Sequence, residues 1–118
     1  MDFLEISKQI AIELEKLGAK RIEILDVSKK TNQAKFFIFS SMADETISKA
    51  TAIQIQEYIK NLGLELIHID GHIKGEWIVE DFAEIILHIF TENSRNKYNL
   101  EKLWKDSKNS VKYKEQKK

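Results

Sequence analysis

The stretch GEWIVEDFAEIILHIF, from residue 75 to residue 90, concentrates residue types that could bind or react, with Trp77, Asp81 and His88 as its candidates. A tryptophan beside an acid is a common hot-spot combination, because the ring anchors in a pocket while the carboxylate binds an Arg or Lys side chain. Packing in the core is an equal alternative for Trp77. His88 stands alone in an apolar run, where a histidine is more often a buried structural residue than a catalyst.

The remaining candidate groups form no catalytic pattern. His68 and His72 flank Asp70, and these are metal-ligating residue types, but their spacing brings two rings together only on a helix, whereas here a strand enters a turn. Glu80 and Asp81 are adjacent, so on a strand they point to opposite faces. The chain has no cysteine, no G-x-S-x-G elbow, no glycine-rich phosphate loop and no D-x-D pair. The pattern predicts a binding protein without catalysis, cofactor or metal.

Charge is balanced over the chain but unevenly distributed. The 19 basic and 19 acidic side chains cancel. Between residues 70 and 92, six acids face one lysine, a net charge of −5, and residues 105–118 hold six lysines against two acids, a net charge of +4. An acidic face is unsuited to nucleic acid, including DNA, and favours a basic protein as partner. A solvated acidic surface without a partner is the alternative.

Hydrophobic periodicity predicts an α/β fold, an α+β sandwich in which helices pack on a mixed five-stranded sheet in the order α-β-β-α-β-β-β-α. The helix joining the second and third strands permits a parallel pairing between them. Glycines and acidic caps are expected to bound the helices, with Ser41 or Asp44 starting the second one. The predicted helices span 3–17 and 43–62, the strands span 21–27, 35–42, 64–70, 77–82 and 84–90, and short helical turns lie between 93 and 104.

Residues 1–106 are predicted to form one domain, and 107–118 a mobile lysine-rich tail with only Val111 and Tyr113 to bury. The chain holds no run of 18 apolar residues, and its acidic start lacks the features of a secretory signal. We therefore expect a cytoplasmic protein that does not associate with a membrane.

Three stretches together resemble the ribosomal silencing factor family, also called Iojap-like. Residues 21–27 (RIEILDV) look like its opening strand. Residues 71–90 combine a glycine, G-E-W, an acid four residues after the tryptophan, and an apolar strand ending in H-I-F. Residues 94–104 (SRNKYNLEKLW) look like the family's R-x-x-Y-x-L-E-x-L-W ending. The resemblance covers roughly residues 3–106.

The resemblance implies a non-enzymatic role. Members bind the large ribosomal subunit, through the fourteenth protein of the large-subunit series, on the face that meets the small subunit. They thereby block subunit joining and lower translation, and a role in large-subunit maturation is also associated with them. The implied fold is a minimal nucleotidyltransferase without its catalytic motif. A nucleotidyltransferase-like enzyme or nucleotide-binding protein is the alternative, and self-association into a homodimer around Trp77 is a further hypothesis.

The resemblance also implies a set of site residues. The ribosomal-protein-binding residues would be Glu76, Trp77, Val79, Asp81 and His88. A second set would serve as a C-terminal latch or as additional contacts, with the latch favoured: Arg95, Tyr98, Leu100, Leu103 and Trp104. The sequence departs from the family between Lys35 and Thr46, where Met42 replaces a glycine and Thr46 an arginine, so family contacts through that loop are in doubt here.

Overall fold

A mixed sheet with helices on both faces forms the framework of the computed structural model, which describes residues 1–113. The sheet has six strands in the order β3-β4-β5-β2-β1-β6. The elements in chain order are α1 (Phe3–Lys16), β1 (Lys20–Asp26), β2 (Phe36–Met42), α2 (Glu45–Asn61), β3 (His68–Asp70), β4 (Trp77–Asp81), β5 (Ile85–Thr91), α3 (Glu92–Tyr98), α4 (Glu101–Trp104) and β6 (Ser110–Val111).

Side-chain caps explain where the two long helices begin. The Asp2 side chain accepts a hydrogen bond from the Glu5 backbone N–H at 3.1 Å, and the Asp44 side chain accepts one from Ile47 at 2.9 Å. Each bond satisfies a donor that lacks a partner in the first helical turn. Of the two cap candidates for α2, Asp44 is therefore the cap.

The sheet buries a different apolar cluster on each face. On the helix face, α1 and α2 cover a large core. The opposite face, here called the Trp77 face, carries an aromatic cluster against which Leu100, between α3 and α4, and Trp104 of α4 pack at its margin. Since alternate side chains of a strand point to opposite faces, β2 and β5 supply both clusters and are buried along their whole length.

The parallel pairing lies between β2 and β5, with Phe39 opposite His88. The sequence had allowed β2 to pair with the third strand, but β3 lies at the sheet edge, separated from β2 by β4 and β5. β5 takes the central position because its side chains are apolar on both faces, whereas the short β3 leaves His68 and Asp70 exposed.

A sixth strand corrects the predicted count of five. Val111 pairs with Ile24 and Ser110 with Leu25, so β6 extends the sheet beyond β1. These two residues fall in the segment predicted to be a mobile tail, and the pairing corrects that prediction for them, because β1 offers them a free edge of backbone donors and acceptors. The rest of the predicted tail, residues 114–118, lies outside the described residues.

A tight turn at residues 71–75 sets the position of β4. Gly71 has a φ of +74°, and a Cβ atom there would lie 1.9 Å from the Trp77 carbonyl oxygen. Its N–H is held by the Asp70 carboxylate at 2.9 Å, and its carbonyl accepts from Gly75. Only glycine fits this close approach, so the turn fixes where the Trp77 strand begins.

Glu80 is the least expected member of the helix-face core. It is fully buried on β4, and neither of its carboxylate oxygens has a hydrogen-bond partner among the described residues. Burial disfavours the charged form and raises the pKa of Glu80 from its ordinary 4.5 to about 8. Glu80 is therefore largely protonated at neutral pH.

We predict that Glu80→Gln flattens the dependence of stability on pH. Because the folded-state pKa lies above the unfolded value, the folded state keeps the proton between pH 4.5 and about 8, and stability falls as the pH rises through that window. The variant stays neutral, so at pH 8 its free energy of unfolding should exceed that of the unaltered protein by on the order of 1–3 kcal/mol. Urea unfolding at pH 5 and pH 8 measures the effect. The exposed Glu65→Gln serves as the control, and an unchanged pH dependence in Glu80→Gln would contradict the assignment.

Candidate functional site: an aromatic face and its C-terminal latch

Trp77 lies at the start of β4, half-buried and stacked on the aromatic cluster. Its ring is nearly parallel to Phe90, with centroids 5.2 Å apart, and Tyr98 of α3 leans against it, also at 5.2 Å. The ring is thus part of the packing and part of the surface. The two sequence interpretations, core residue and binding anchor, are combined in one side chain.

His88 supports the Trp77 ring from within the aromatic cluster. The indole Nε1–H donates to His88 Nδ1 at 3.1 Å, and the imidazole stacks on Phe39 with centroids 4.8 Å apart. Burial and the nearby positive charge of Arg95 lower the pKa of His88 from 6.5 to about 3. The imidazole is therefore neutral, as an acceptor at Nδ1 requires. Only 6% of His88 is exposed, so in this structure the side chain supports Trp77 and offers little surface of its own to a partner.

The other predicted binding residues remain accessible. Val79 and Asp81 are half-buried beside Trp77, on the same face of the strand, and Glu76 is exposed. Asp81 has a structural task as well, because its Oδ1 accepts the backbone N–H of Ala83 at 2.8 Å. Ala83 has a φ of +73° in the tight turn to β5, so that hydrogen bond supports a strained backbone.

Helices α3 and α4, residues 92–104, form what we call the C-terminal latch. Thr91 caps α3 through the Ser94 N–H at 3.2 Å, and the Ser94 hydroxyl donates to the Glu76 carbonyl in a short hydrogen bond. The Thr91 N–H also donates to the Glu76 carbonyl, at 3.0 Å. The first turn of the latch is thereby tied to the residue that precedes Trp77.

A buried arginine holds the latch to the sheet. Arg95 is only 1% exposed, yet its guanidinium makes a two-pronged ion pair with Glu101 and donates to the Ser41 hydroxyl at 2.8 Å. Burial opposes ionisation of Glu101, but the hydrogen bond and charge of Arg95 outweigh it and the pKa of that carboxyl is lowered. The guanidinium also lies about 6 Å above the rings of Phe39 and Phe90.

The remaining latch residues divide between packing and exposure. Leu100 and Trp104 pack against the aromatic cluster, with the Trp104 ring edge-on to Phe37 at 4.9 Å. Tyr98 is 46% exposed and Leu103 is 77% exposed. Packing therefore accounts for Arg95, Leu100 and Trp104, while Tyr98 extends the apolar surface beside Trp77 and Leu103 is exposed on α4.

Several residues that organise this site were not singled out by sequence reasoning. They are the ring-bearing and hydrogen-bonding neighbours of the predicted set: Phe37, Phe39, Ser41, Phe90, Ser94 and Glu101. The alternation in FFIFSSM and IILHIF could have placed the rings and Ser41 on one face. Which strands would be adjacent was not visible in that pattern.

The segment that departs from the family borders the site. Met42 is buried at the end of β2, and Thr46 is exposed in the first turn of α2. A small cleft of about 190 Å³ runs between α2, β4 and the latch, lined in part by Glu45, Glu76 and Tyr98.

Within residues 1–113, no group of three or more His, Asp or Glu side chains could hold a metal ion. His68 and His72 are both exposed, one on β3 and the other in the following turn. Over the same residues, no helix is long and apolar enough to cross a membrane. The site is therefore a surface of aromatic, aliphatic and acidic groups.

Comparison with known proteins identifies the family. The family model described as "Ribosomal silencing factor during starvation" matches residues 2–118. This chain belongs to the ribosomal silencing factor family. Its members are regulatory proteins rather than enzymes, and the family implies association with the ribosome.

Individual relatives agree with the family match. The ribosomal silencing factor of Chromobacterium violaceum is 32% identical over 110 residues, covering 93% of this chain and 90% of the relative. That of Bacillus subtilis is 27% identical over 89 residues, 75% of each chain. A crystal structure of a Chromobacterium violaceum protein matches with a TM-score of 0.82 at 30% identity over 98% of both chains. The α+β fold of the silencing factors is thus confirmed.

We predict that Arg95→Lys loosens the latch. Lysine keeps the charge but cannot bond Glu101 at two points and Ser41 as well, so stability should fall by about 1–3 kcal/mol. Amide hydrogen exchange of residues 92–104 should accelerate more than that of β2 and β5. Arg21→Lys is the comparison variant: Arg21 is exposed and reaches the latch through one described hydrogen bond, to Asn96, so its effect should be much smaller. Equal effects of the two variants would contradict the latch.

We also predict energetic coupling between Trp77 and His88. Trp77→Phe removes the donor and His88→Phe removes the acceptor while keeping a ring on Phe39. A double-mutant cycle in urea should give a coupling of about 0.5–1.5 kcal/mol. The cycle of His88→Phe with Tyr98→Phe is the control and should give a much smaller value. A Trp77–His88 coupling within error would show that the hydrogen bond does not hold the ring.

Proposed function

We propose that this silencing factor binds the large ribosomal subunit on its joining face and excludes the small subunit. The contact would be made by the Trp77 face, with Trp77 and Val79 as apolar contacts and Asp81 as charge partner. The binding partner would be a basic protein of the large subunit, the fourteenth of its series in the family. Translation falls because joined ribosomes cannot form.

The observation that carries this proposal is the partial exposure of Trp77 within the aromatic cluster. A tryptophan that is stacked, hydrogen-bonded through its N–H and still accessible offers a large, rigid contact at little entropic cost. Tyr98 continues this apolar surface onto the latch, since its ring contacts Trp77 and is 46% exposed. Exposed aromatic and aliphatic groups in one place are typical of a protein–protein interface.

Charge supports a basic partner. The stretch 70–92 contains six acids and one lysine, and Glu80 among them is buried and largely neutral, so five acids remain to shape the surface. Such a surface attracts a basic protein, which speeds encounter and sets its orientation. The apolar groups would supply most of the affinity.

The proposed mechanism is steric and needs no chemistry. One protein on the joining face leaves no room for the small subunit, so the block rises with the factor's concentration relative to its Kd. Large-subunit maturation is a second duty that the same contact could serve. A homodimer of the free protein would use the same apolar surface, and ribosome binding would then compete with self-association.

Co-sedimentation with purified subunits, followed by a subunit-joining assay, tests the proposal. The unaltered chain should bind large but not small subunits and should reduce joining as it is added. Trp77→Ala should weaken binding about 30-fold or more, because it removes the central anchor. Asp81→Asn should weaken it about tenfold, since it removes the charge but keeps an oxygen for Ala83.

Ile53→Ala is the matched control, an exposed apolar residue on α2 and hence on the opposite side of the sheet. Circular dichroism and thermal unfolding establish that each variant is folded. Undiminished binding by folded Trp77→Ala and Asp81→Asn would refute the surface assignment. Failure of the unaltered chain to bind large subunits, or binding without loss of joining, would refute the function.

A further inference from the structure

The fold divides the electrically neutral chain into a basic and an acidic side. Residues 20–30 and 93–113, which we call the basic side, hold ten basic and four acidic side chains, a net charge of +6. Residues 31–92 hold four basic and ten acidic side chains, a net charge of −6. The two segments of the basic side are far apart in sequence, so only the tertiary structure brings their charges together.

Direct contacts join the two segments of the basic side. The Asp26 N–H donates to the Asn109 carbonyl at 2.9 Å, and the Asn109 side chain donates to the Asp26 carbonyl at 3.1 Å. Arg21 donates to the Asn96 side chain at 2.6 Å. Together with the β1–β6 pairing, these bonds place the cations of residues 20–30 and 105–113 at the β1–β6 edge of the sheet, while Lys97 lies beside Glu45, Glu76 and Tyr98.

The four acids of the basic side are already engaged within it. Glu23 pairs with Lys105 at 2.8 Å and Asp106 with Lys30 at 2.9 Å, while Glu101 is held by Arg95. Asp26 accepts from the Ser28 hydroxyl and N–H. The remaining seven cations are exposed and take part in none of the ion pairs described within residues 1–113: Lys20, Arg21, Lys29, Lys97, Lys102, Lys108 and Lys112.

Sheet topology separates the basic side from the acidic strand. β4 and β6 are four strand positions apart, about 19 Å at the usual strand spacing. The latch lies between them and carries Lys97 and Lys102. Across this face, β4 carries acidic groups beside Trp77, β5 and β2 carry the aromatic cluster, and β1 and β6 carry cations.

We propose that the basic side binds the phosphate backbone of ribosomal RNA next to the protein contact made by the Trp77 face. This inference rests on the proposed function. The exposed cations on β1, β6 and the segments that adjoin them suit a dense array of phosphates, whereas a basic protein would be repelled from them. The two halves of the surface thus match a place on the subunit where a basic protein borders RNA.

The test is the salt dependence of binding to intact large subunits. The variant Lys102→Gln/Lys108→Gln/Lys112→Gln removes three cations without touching Trp77, Asp81 or the Arg95 ion pair. Its affinity should fall about tenfold at 100 mM KCl with constant magnesium, and the slope of log K against log salt should flatten by about 2, near 0.7–0.9 per lost phosphate contact. Affinity for the isolated fourteenth large-subunit protein should not change.

Lys8→Gln/Lys16→Gln/Lys60→Gln is the matched control, with the same change in net charge but on α1 and α2. It should retain both affinity and slope. If the unaltered chain binds subunits but the first variant keeps its affinity or its slope, the RNA contact is refuted and the proposed function stands. Weaker binding to the isolated protein would assign the lysines to the protein contact and also refute it. No subunit binding by the unaltered chain would refute both.

Discussion

The buried guanidinium of Arg95 connects the parts of the site to one another. Its ion pair with Glu101 closes the latch, and its bond to Ser41 fastens the latch to the end of β2. Its charge also helps to keep His88 neutral, and a neutral imidazole can accept the indole N–H of Trp77. A buried charge is tolerated only where it is paired and hydrogen-bonded, so Glu101 and Ser41 are conditions for the arrangement of the whole aromatic face.

The central position of β5 determines which strands lie side by side. Because β5 is apolar on both faces, it pairs with β4 on one side and with β2 on the other. The register places Val79, His88 and Phe39 side by side, and Trp77, Phe90 and Ser41 side by side next to them. β1 then follows β2, and its outer edge remains for β6. The separation of acidic and basic groups over the surface is a consequence of this strand order, since β4 lies next to one edge strand of the sheet and β6 forms the other edge.

The helices and strands could be predicted from hydrophobic periodicity, because that pattern depends only on residues close together in sequence. The two long helices and most of the strand segments followed from spacing. The sixth strand could not, since Ser110 and Val111 form no hydrophobic pattern of their own and depend on the edge of β1 for their partners. The parallel pairing that the sequence permitted, between the second and third strands, is not the one formed, because a crossover helix permits parallel strands but does not say which strand will pair.

For the candidate site, too, sequence patterns determined some features and tertiary contacts the others. The sequence by itself determined the family, through G-E-W, H-I-F and the R-x-x-Y-x-L-E-x-L-W ending, and it determined which residue types would be available. Only the tertiary structure decided that His88 supports Trp77 from within the aromatic cluster, that Arg95 is buried against Ser41, and that two distant basic segments meet at the β1–β6 edge of the sheet. Burial, hydrogen-bond partners and local charge depend on neighbours far apart along the chain, and those neighbours exist only once the strands have been placed.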